Sequence, residues 1–303
     1  MAFSDDPLPL TVEQLWTYPV KSCAGLRLHS VPLLETGLEW DRTWMLVDAT
    51  GEFVSQRELP RMALIRPRFH LGRLELQAPG MRVLPLPLDA AGHPRRVRVW
   101  DDEVDAYDMG DLAAQWFTEC LAPGAPHGLQ AGLRLVRFDP DVRRLSAPAW
   151  TGGVEAPNQF SDGFPLLVLS SASLAEANER LALLGLPPLG PERFRPNLVL
   201  GGLAAHDEDR LADIHLHAQL PDGAEPGPAV WLQPVKPCAR CTMPDVDPQT
   251  AERGSAVGQL LHGYRQDRRL MGAVTFGMNA IVRRGDGQLL HEGMAGHGTW
   301  GAW

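Results

Sequence analysis

The sequence predicts a β-rich α/β chain, with short strands building a barrel or sandwich in its first part and a mixed β-rich α/β arrangement in its second. Three observations carry this reading. The 303 residues are 44% hydrophobic and 21% charged, the balance of a folded chain with a sizeable core. Short alternating or apolar runs recur about every ten residues between positions 10 and 110, as barrels and sandwiches require. Helical periodicity is confined to a few stretches, most of them in the second half.

Taken in order, residues 12–20, 26–34 and 44–47 read as strands, and Asp48-Ala49-Thr50-Gly51 supplies a turn before residues 52–56. Residues 65–76 and 81–88 flank Pro79-Gly80, and residues 95–100 alternate. Asp111 is expected to cap a helix over residues 112–121, with Ala113, Trp116, Phe117 and Cys120 on one face. Residues 122–132 and 146–162 are rich in Gly and Pro and read as linker and loop, which puts a boundary near 125 and units at 1–125 and 126–303. Beyond it, residues 165–169 form a buried strand, and Ser173-Leu174-Ala175-Glu176 opens a helix with capping-box spacing. Residues 198–200, 214–217 and 230–232 are strands and 257–264 a helix. Residues 273–282 and 288–291 read as a closing hairpin around Gly285-Asp286-Gly287.

A net charge of -9 argues against a nucleic-acid partner, since phosphate binding needs a basic face. No apolar run approaches the length of a membrane span, so no membrane partner is expected. Met1-Ala2-Phe3-Ser4-Asp5-Asp6 lacks the pattern of a leader, and four cysteines, two of them three positions apart, do not form a secreted disulfide framework. A cytoplasmic chain with reduced thiols is the expectation. Its cations are unusual: of 28 Lys and Arg residues, only Lys21 and Lys236 are lysines, and both sit in a Pro-Val-Lys-x-Cys phrase.

Five residue sets carry candidate chemistry. Cys238-Ala239-Arg240-Cys241 has the spacing of half a zinc site or a redox dithiol, or of two small buried hydrophobes. Arg240 is the neighbour that favours a thiolate at Cys241. Arg195 and Asn197 precede an apolar strand and combine a fork-like cation with an amide, a pair suited to an anion and a planar heterocycle, or to an edge-of-strand arginine paired with a surface carboxylate. Lys21, Ser22 and Arg42, each next to a strand end, form a candidate phosphate-binding set or else solvated loop charge. Arg57 lies in Ser55-Gln56-Arg57-Glu58 at a hairpin end, and Ser161-Asp162 with Ser170, Ser171 and Ser173 borders a helix start suited to an anion or to ordinary capping. No dinucleotide fingerprint, phosphate loop, nucleophile elbow or zinc-protease motif is present.

The order of these motifs resembles the MOSC-domain proteins. Tyr18-Pro19-Val20-Lys21-Ser22-Cys23 is followed by Asp41-Arg42-Thr43-Trp44, Arg195-Pro196-Asn197, and Cys238-Ala239-Arg240-Cys241 with Val246-Asp247-Pro248-Gln249-Thr250. More closely, the chain looks like the branch with an N-terminal β-barrel domain, which includes the mitochondrial amidoxime-reducing components and the bacterial YcbX-type enzymes. The resemblance implies an N-terminal β-barrel-like domain plus a mixed β-barrel/α MOSC domain. It also implies a molybdenum cofactor (Mo-molybdopterin) with the Cys241 thiolate completing the ligation of molybdenum. Lys21, Ser22, Arg42, Arg195, Asn197 and Arg240 match its cofactor-binding positions, Arg57, Ser170 and Ser173 are further cofactor-binding candidates, and Arg240 joins Cys241 as catalytic.

The implied activity is reduction of N-hydroxylated compounds such as amidoximes, hydroxylamines and N-hydroxylated bases, by oxygen-atom abstraction at the Cys-ligated molybdenum. Asp245 and Asp247 are candidate proton donors. Two departures shape the expectation. The chain carries no cysteine-bearing ferredoxin segment after Cys241 and no N-terminal anchor, so the electron donor is expected to be a separate ferredoxin- or flavoprotein-type protein. Ala251 stands where the family motif has Gly, and residues 291–303, rich in Gly and Trp, receive no reading. A non-catalytic cofactor or sulfur carrier, and a zinc module built on Cys238 and Cys241, are the alternatives.

Overall fold

The computed structural model describes residues 7–123, 125–126, 132–217 and 228–301. Its centre is a ring of seven strands: β1 (Leu8–Thr17), β2 (Leu166–Ser170), β3 (Leu198–Gly201), β4 (Leu211–His217), β5 (Pro228–Ala239), β6 (Ala273–Arg284) and β7 (Ala295–Trp300). They neighbour one another in the order β2-β3-β1-β7-β4-β5-β6, and β6 pairs back onto β2, so the barrel closes. Closure leaves no exposed ladder edge in the ring. Every pair is antiparallel except β2 and β3, whose parallel register is spanned by the helix Ser171–Leu183. Inward positions alternate at Leu10 and Val12, and an irregularity between Val12 and Gln14 moves the next to Leu15; all three meet Val168, Leu198, Leu200, Ile214 and Leu232 in one apolar cluster.

The Gly- and Trp-rich tail finds its account here. It is β7, seated between β1 and β4. A Cβ at Gly296 would stand 2.2 Å from the His215 carbonyl oxygen, a backbone clash that reserves this position for glycine, while one at Gly298 would press Leu211 Cδ2 at 2.8 Å.

Against the barrel lies a four-stranded antiparallel sheet in the order Trp44–Val47, Arg134–Phe138, Asp102–Asp108, His93–Val99, with a three-stranded meander of Arg66–His70, Arg73–Gln77 and Leu84–Pro87. Trp44 and Leu46 enter a cluster with Phe117, Leu74 and Leu76, while Met45 and Val47 enter another with Val97, Val99, Phe138 and Phe160. Both faces of that strand are therefore covered, which is why it reads as unbroken apolar sequence. Strand pairing crosses residue 125 in both directions: β1 joins the barrel, and Arg134–Phe138 joins the N-terminal sheet. Of the linker expected over 122–132, residues 124 and 127–131 lie outside the described residues.

Several elements depart from the sequence reading. Asp102–Asp108 was not legible because Glu103 and Asp105 flank Val104 and their charges are answered across the hairpin by Arg96 and Arg98, while Asp102 pairs with Arg144. Gly110, at φ 89, precedes the helix Asp111–Leu121, so Asp111 is its first residue and pairs with Arg134 rather than capping. The expected closing hairpin does not form. Leu289–His291 pairs with Ser30–Leu34, because Asp286 Oδ1 accepts from Glu35 N and the Gly287 amide donates to Leu33 O. β5 runs past residue 232 to Ala239, with irregularities that absorb Pro234 and Pro237. No helix among the described residues is long and apolar enough to cross a membrane.

Candidate functional site

A cavity of about 740 Å³ is lined from both halves of the chain. Seven of its lining side chains are cationic (Lys21, Arg42, Arg57, Arg144, Arg195, Lys236 and Arg240) and three are carboxylates, in a protein whose net charge is -9. Cations have thus been gathered locally against the overall field, the arrangement an anionic ligand requires. Ser22, Asn197, Cys238 and Cys241 complete the sequence-predicted members of this lining.

The N-terminal contribution hangs on the start of the Trp44 strand. Val20 bridges Trp44, and the Lys21 amide donates to Trp44 O at 2.8 Å. Ser22 (φ 66), Arg42 (φ 51) and Arg195 (φ 59) all hold left-handed backbone, at a cost of about 1–3 kcal/mol each. Gln56 Nε2 pins the first of these by donating to Ser22 O at 2.7 Å. Such strain persists only where surrounding contacts over-determine it, and here it aims three site residues at one cavity.

Lys21 Nζ donates to Phe160 O at 2.8 Å and pairs with Asp162. Burial pushes the Lys21 ammonium below its ordinary range, against the opposing pull of Asp162. Arg42 donates to Asp41, to Asn197 Oδ1 at 3.2 Å and to Arg195 O at 3.1 Å. The Arg42 and Arg195 guanidinia lie 4.4 and 4.2 Å from the centre of the Tyr18 ring, a cation–π platform that spares each some desolvation. Burial, and then the Arg42 charge, lower Arg195 to about 10. Its Nη1 donates to Cys23 O at 2.6 Å, whereas its Nη2 is buried with no partner. Arg57 is placed over Trp100 at 4.7 Å and donates from Nε to Ser55 Oγ at 3.0 Å.

The cysteine pair ends β5. Cys238 falls at an irregularity between Pro237 and Ala239, and Cys241 follows the strand in an exposed turn. Arg240 was expected beside Cys241. Instead its Nη1 donates to Cys238 Sγ at 2.9 Å and its Nη2 to Phe194 O at 2.8 Å, leaving Nε buried and unpartnered. Among the described residues no group of three or more His, Cys, Asp or Glu side chains is arranged to hold a metal ion, so the pair lacks the further ligands of a structural zinc site. Asp245 and Asp247 are structural anchors. Asp245 Oδ1 accepts from the Val257 and Gly258 amides, and Asp247 takes the Gln249 and Thr250 amides and pairs with Arg193.

Asn197 borders the cavity, yet its amide is committed to the fold. Oδ1 accepts from Leu167 N at 3.0 Å and Nδ2 donates to Trp16 O at 3.2 Å. Four lining residues escaped the sequence reading in whole or part. Asp162 is the counter-ion of Lys21 rather than part of an anion site, and Trp100 Nε1 donates to it at 3.1 Å. Arg144 organises the 146–162 loop, donating to Asn158 Oδ1, Gln159 O and Ser161 O. Lys236 lies over the Trp150 and Phe164 rings. Trp100 and Arg144 belong to no compact motif, Asp162 entered the reading only as part of an anion-binding set, and the matched lysine phrases pointed to Lys236.

Ser170 and Ser173 are not among the cavity's lining residues. Ser170 is the helix cap, with Oγ accepting from Ala172 N, and the Ser173 hydroxyl donates to Glu208 Oε2 at 2.7 Å. The capping-box reading was therefore three residues late. Glu208 is 0% exposed; burial, and then the Asp209 carboxylate, raise it to about 7. The folded chain keeps this proton, whereas the unfolded chain releases it near the ordinary glutamate value. Its contribution to stability is therefore full in acid and is lost as pH rises through 7, a change of roughly 3 kcal/mol. Glu208→Gln is expected to flatten that part of the stability profile, as read by urea unfolding at pH 5 and pH 8. An unchanged difference between the two pH values would contradict the assignment.

Comparisons with known proteins agree with this architecture. Residues 9–123 match the family model described as the MOSC N-terminal beta barrel domain, and residues 155–293 match the MOSC domain. "Mitochondrial amidoxime reducing component 2" of Bos taurus is 31% identical over 248 residues, covering 79% of this chain and 67% of that one. "Mitochondrial amidoxime-reducing component 1" of Homo sapiens is 31% identical over 276 residues, covering 86% and 75%. "Molybdenum cofactor sulfurase" of Homo sapiens is 28% identical over 285 residues, covering 89% of this chain but 30% of its own length. The chain therefore belongs to the MOSC-domain family, in the branch that carries an N-terminal MOSC β-barrel domain.

Proposed function

We propose that the chain binds a molybdenum cofactor in the cationic cavity and reduces N-hydroxylated compounds with electrons from a separate ferredoxin- or flavoprotein-type donor. The observation that carries this reading is the convergence of Lys21, Ser22, Arg42, Arg57, Arg195 and Arg240 on one cavity that also reaches Cys241. The residues fit an anionic, hydrogen-bonding cofactor. Arg195 Nη2 and Arg240 Nε are buried donors in need of an acceptor, and an unmet buried donor costs about 1–3 kcal/mol. A single exposed thiol, with no further protein ligand cluster among the described residues, suits a metal whose other ligands arrive with the cofactor's own sulfurs.

When bound, the cofactor supplies a two-electron redox centre at Cys241. Lys21 and Ser22 would hold its phosphate end, Arg42 and Arg195 would flank the heterocycle, and Arg240 would stabilise negative charge on the cysteine side. An amidoxime then takes up two electrons and two protons; its N–O bond breaks, and an amidine and water leave. Names among the relatives, amidoxime-reducing components above all, support this reading. The sulfurase relative keeps a second reading open to test, that of a cofactor or sulfur carrier.

The deciding experiment is metal and pterin analysis joined to turnover of benzamidoxime with an artificial reductant. Molybdenum near one equivalent with turnover supports the enzyme. Cofactor or sulfur transfer to an apo-enzyme without turnover supports the carrier, and one equivalent of zinc without pterin overturns both. Lys21→Ala is expected to lower the pterin retained after gel filtration by about tenfold, the loss of one charge-assisted phosphate contact. Its partner Asp162 is 69% exposed and tolerates losing the lysine, so the fold is expected to persist. Unchanged pterin content would remove Lys21 from the site.

A further inference from the structure

Cys241 lies on the border of two cavities. Besides the cationic one, a second space of about 450 Å³ is bounded by Cys241, Thr242, Pro244, Gln259, Leu261 and Val274. Arg240 forms the partition between the two. Its amide donates to Val274 O at 2.8 Å on the side of the second cavity, while its guanidinium reaches Phe194 O and Cys238 Sγ, residues of the first. The two spaces differ in chemistry. The first carries seven cationic side chains, and the second offers Leu261, Val274 and Pro244 beside Arg240, Asp245 and His262.

We infer that the second cavity takes the apolar aryl or alkyl body of the substrate, leaving its N–OH group at Cys241. This rests on the reductase reading above. An N-hydroxylated substrate joins a small polar head, which must reach the redox centre, to an apolar body that gains by leaving water. The first cavity is the one assigned to the anionic cofactor, so the apolar body has to lie outside it. The second cavity, across Arg240, opens from the same cysteine and offers the apolar walls such a body needs. Gln259 on the helix Ala256–His262 and Thr242 after the cysteine are both exposed and stand on its walls. They set how large a body can enter.

The test fills the cavity from each wall in turn, with Gln259→Trp and Thr242→Trp in the cofactor-loaded protein. For each, the ratio of kcat/KM for benzamidoxime to that for hydroxylamine, which has no body to accommodate, is expected to fall at least about tenfold. Benzamidine binding, followed by calorimetry, is expected to weaken in parallel. Pterin content and far-UV circular dichroism report whether each variant is folded and loaded; two independent walls protect the test against one variant failing to fold. An unchanged ratio in both variants, or equal loss of both substrates, overturns the inference while the reductase reading stands. A molybdenum-loaded wild type that reduces neither substrate overturns the reductase reading, and the inference with it.

Discussion

Replacing Cys241 with serine is expected to abolish reduction of N-hydroxylated substrates, to below about 0.1% of the parent rate, equivalent to about 4 kcal/mol or more of lost transition-state stabilisation. The physical reason is ligand chemistry. A thiolate is a soft donor that forms readily near neutral pH, whereas a serine hydroxyl stays protonated and hard. Cys241 sits in an exposed turn beyond the end of β5, so the substitution removes no core contact and the fold should be unaffected. The measurement is benzamidoxime turnover beside molybdenum and pterin content. Full turnover in the Cys241→Ser protein would sink the proposed role of the residue. The same variant with Cys238 intact also separates the two thiols, because Arg240 is bonded to Cys238 and not to Cys241.

Asn197→Ala is expected to destabilise the protein by about 3–5 kcal/mol, whatever its effect on the cofactor. The side chain is 1% exposed and its amide joins three elements: it accepts from the Leu167 amide of β2 and from Arg42, and it donates to Trp16 O of β1. Truncation strands a buried amide, a buried carbonyl and part of a guanidinium at once, each with its desolvation penalty. Urea unfolding of the cofactor-free protein checks this. A residue that served only to contact a ligand would leave that curve unmoved, so an unchanged midpoint would return Asn197 to a purely binding role. Loss of Asn197 also removes one of the three partners of Arg42, so a fall in pterin content in this variant would be an indirect effect of a shifted cation.

What was legible in the sequence follows the range of the signal. Trp44–Val47 could be read to the residue because its signal is local: four apolar positions bounded by turn chemistry. Asp102–Asp108 could not, since its charged positions make sense only against the arginines of the neighbouring strand. The Gly285-Asp286-Gly287 turn was read correctly as a turn and wrongly as a hairpin. Turn residues specify a reversal, but the strand at Ser30–Leu34 decides which partner receives it. Ser173 carried a capping spacing, yet the helix starts at Ser171 and that hydroxyl answers the buried Glu208 instead.

By itself the sequence determined the identity of the chemistry: one Cys-x-x-Cys turn, two lysines in matched phrases, and Arg and Asn residues in an order that marks the family. These are covalent facts, and a motif keeps its meaning without coordinates. Only the tertiary structure decided where that chemistry points. The positive φ values at Ser22, Arg42 and Arg195, the rotation of Arg240 away from Cys241, the use of Asn197 as a brace and the second cavity beside the cysteine arise from contacts between residues far apart in the chain. Side-chain direction is set by such contacts after the barrel closes, and no local pattern encodes them.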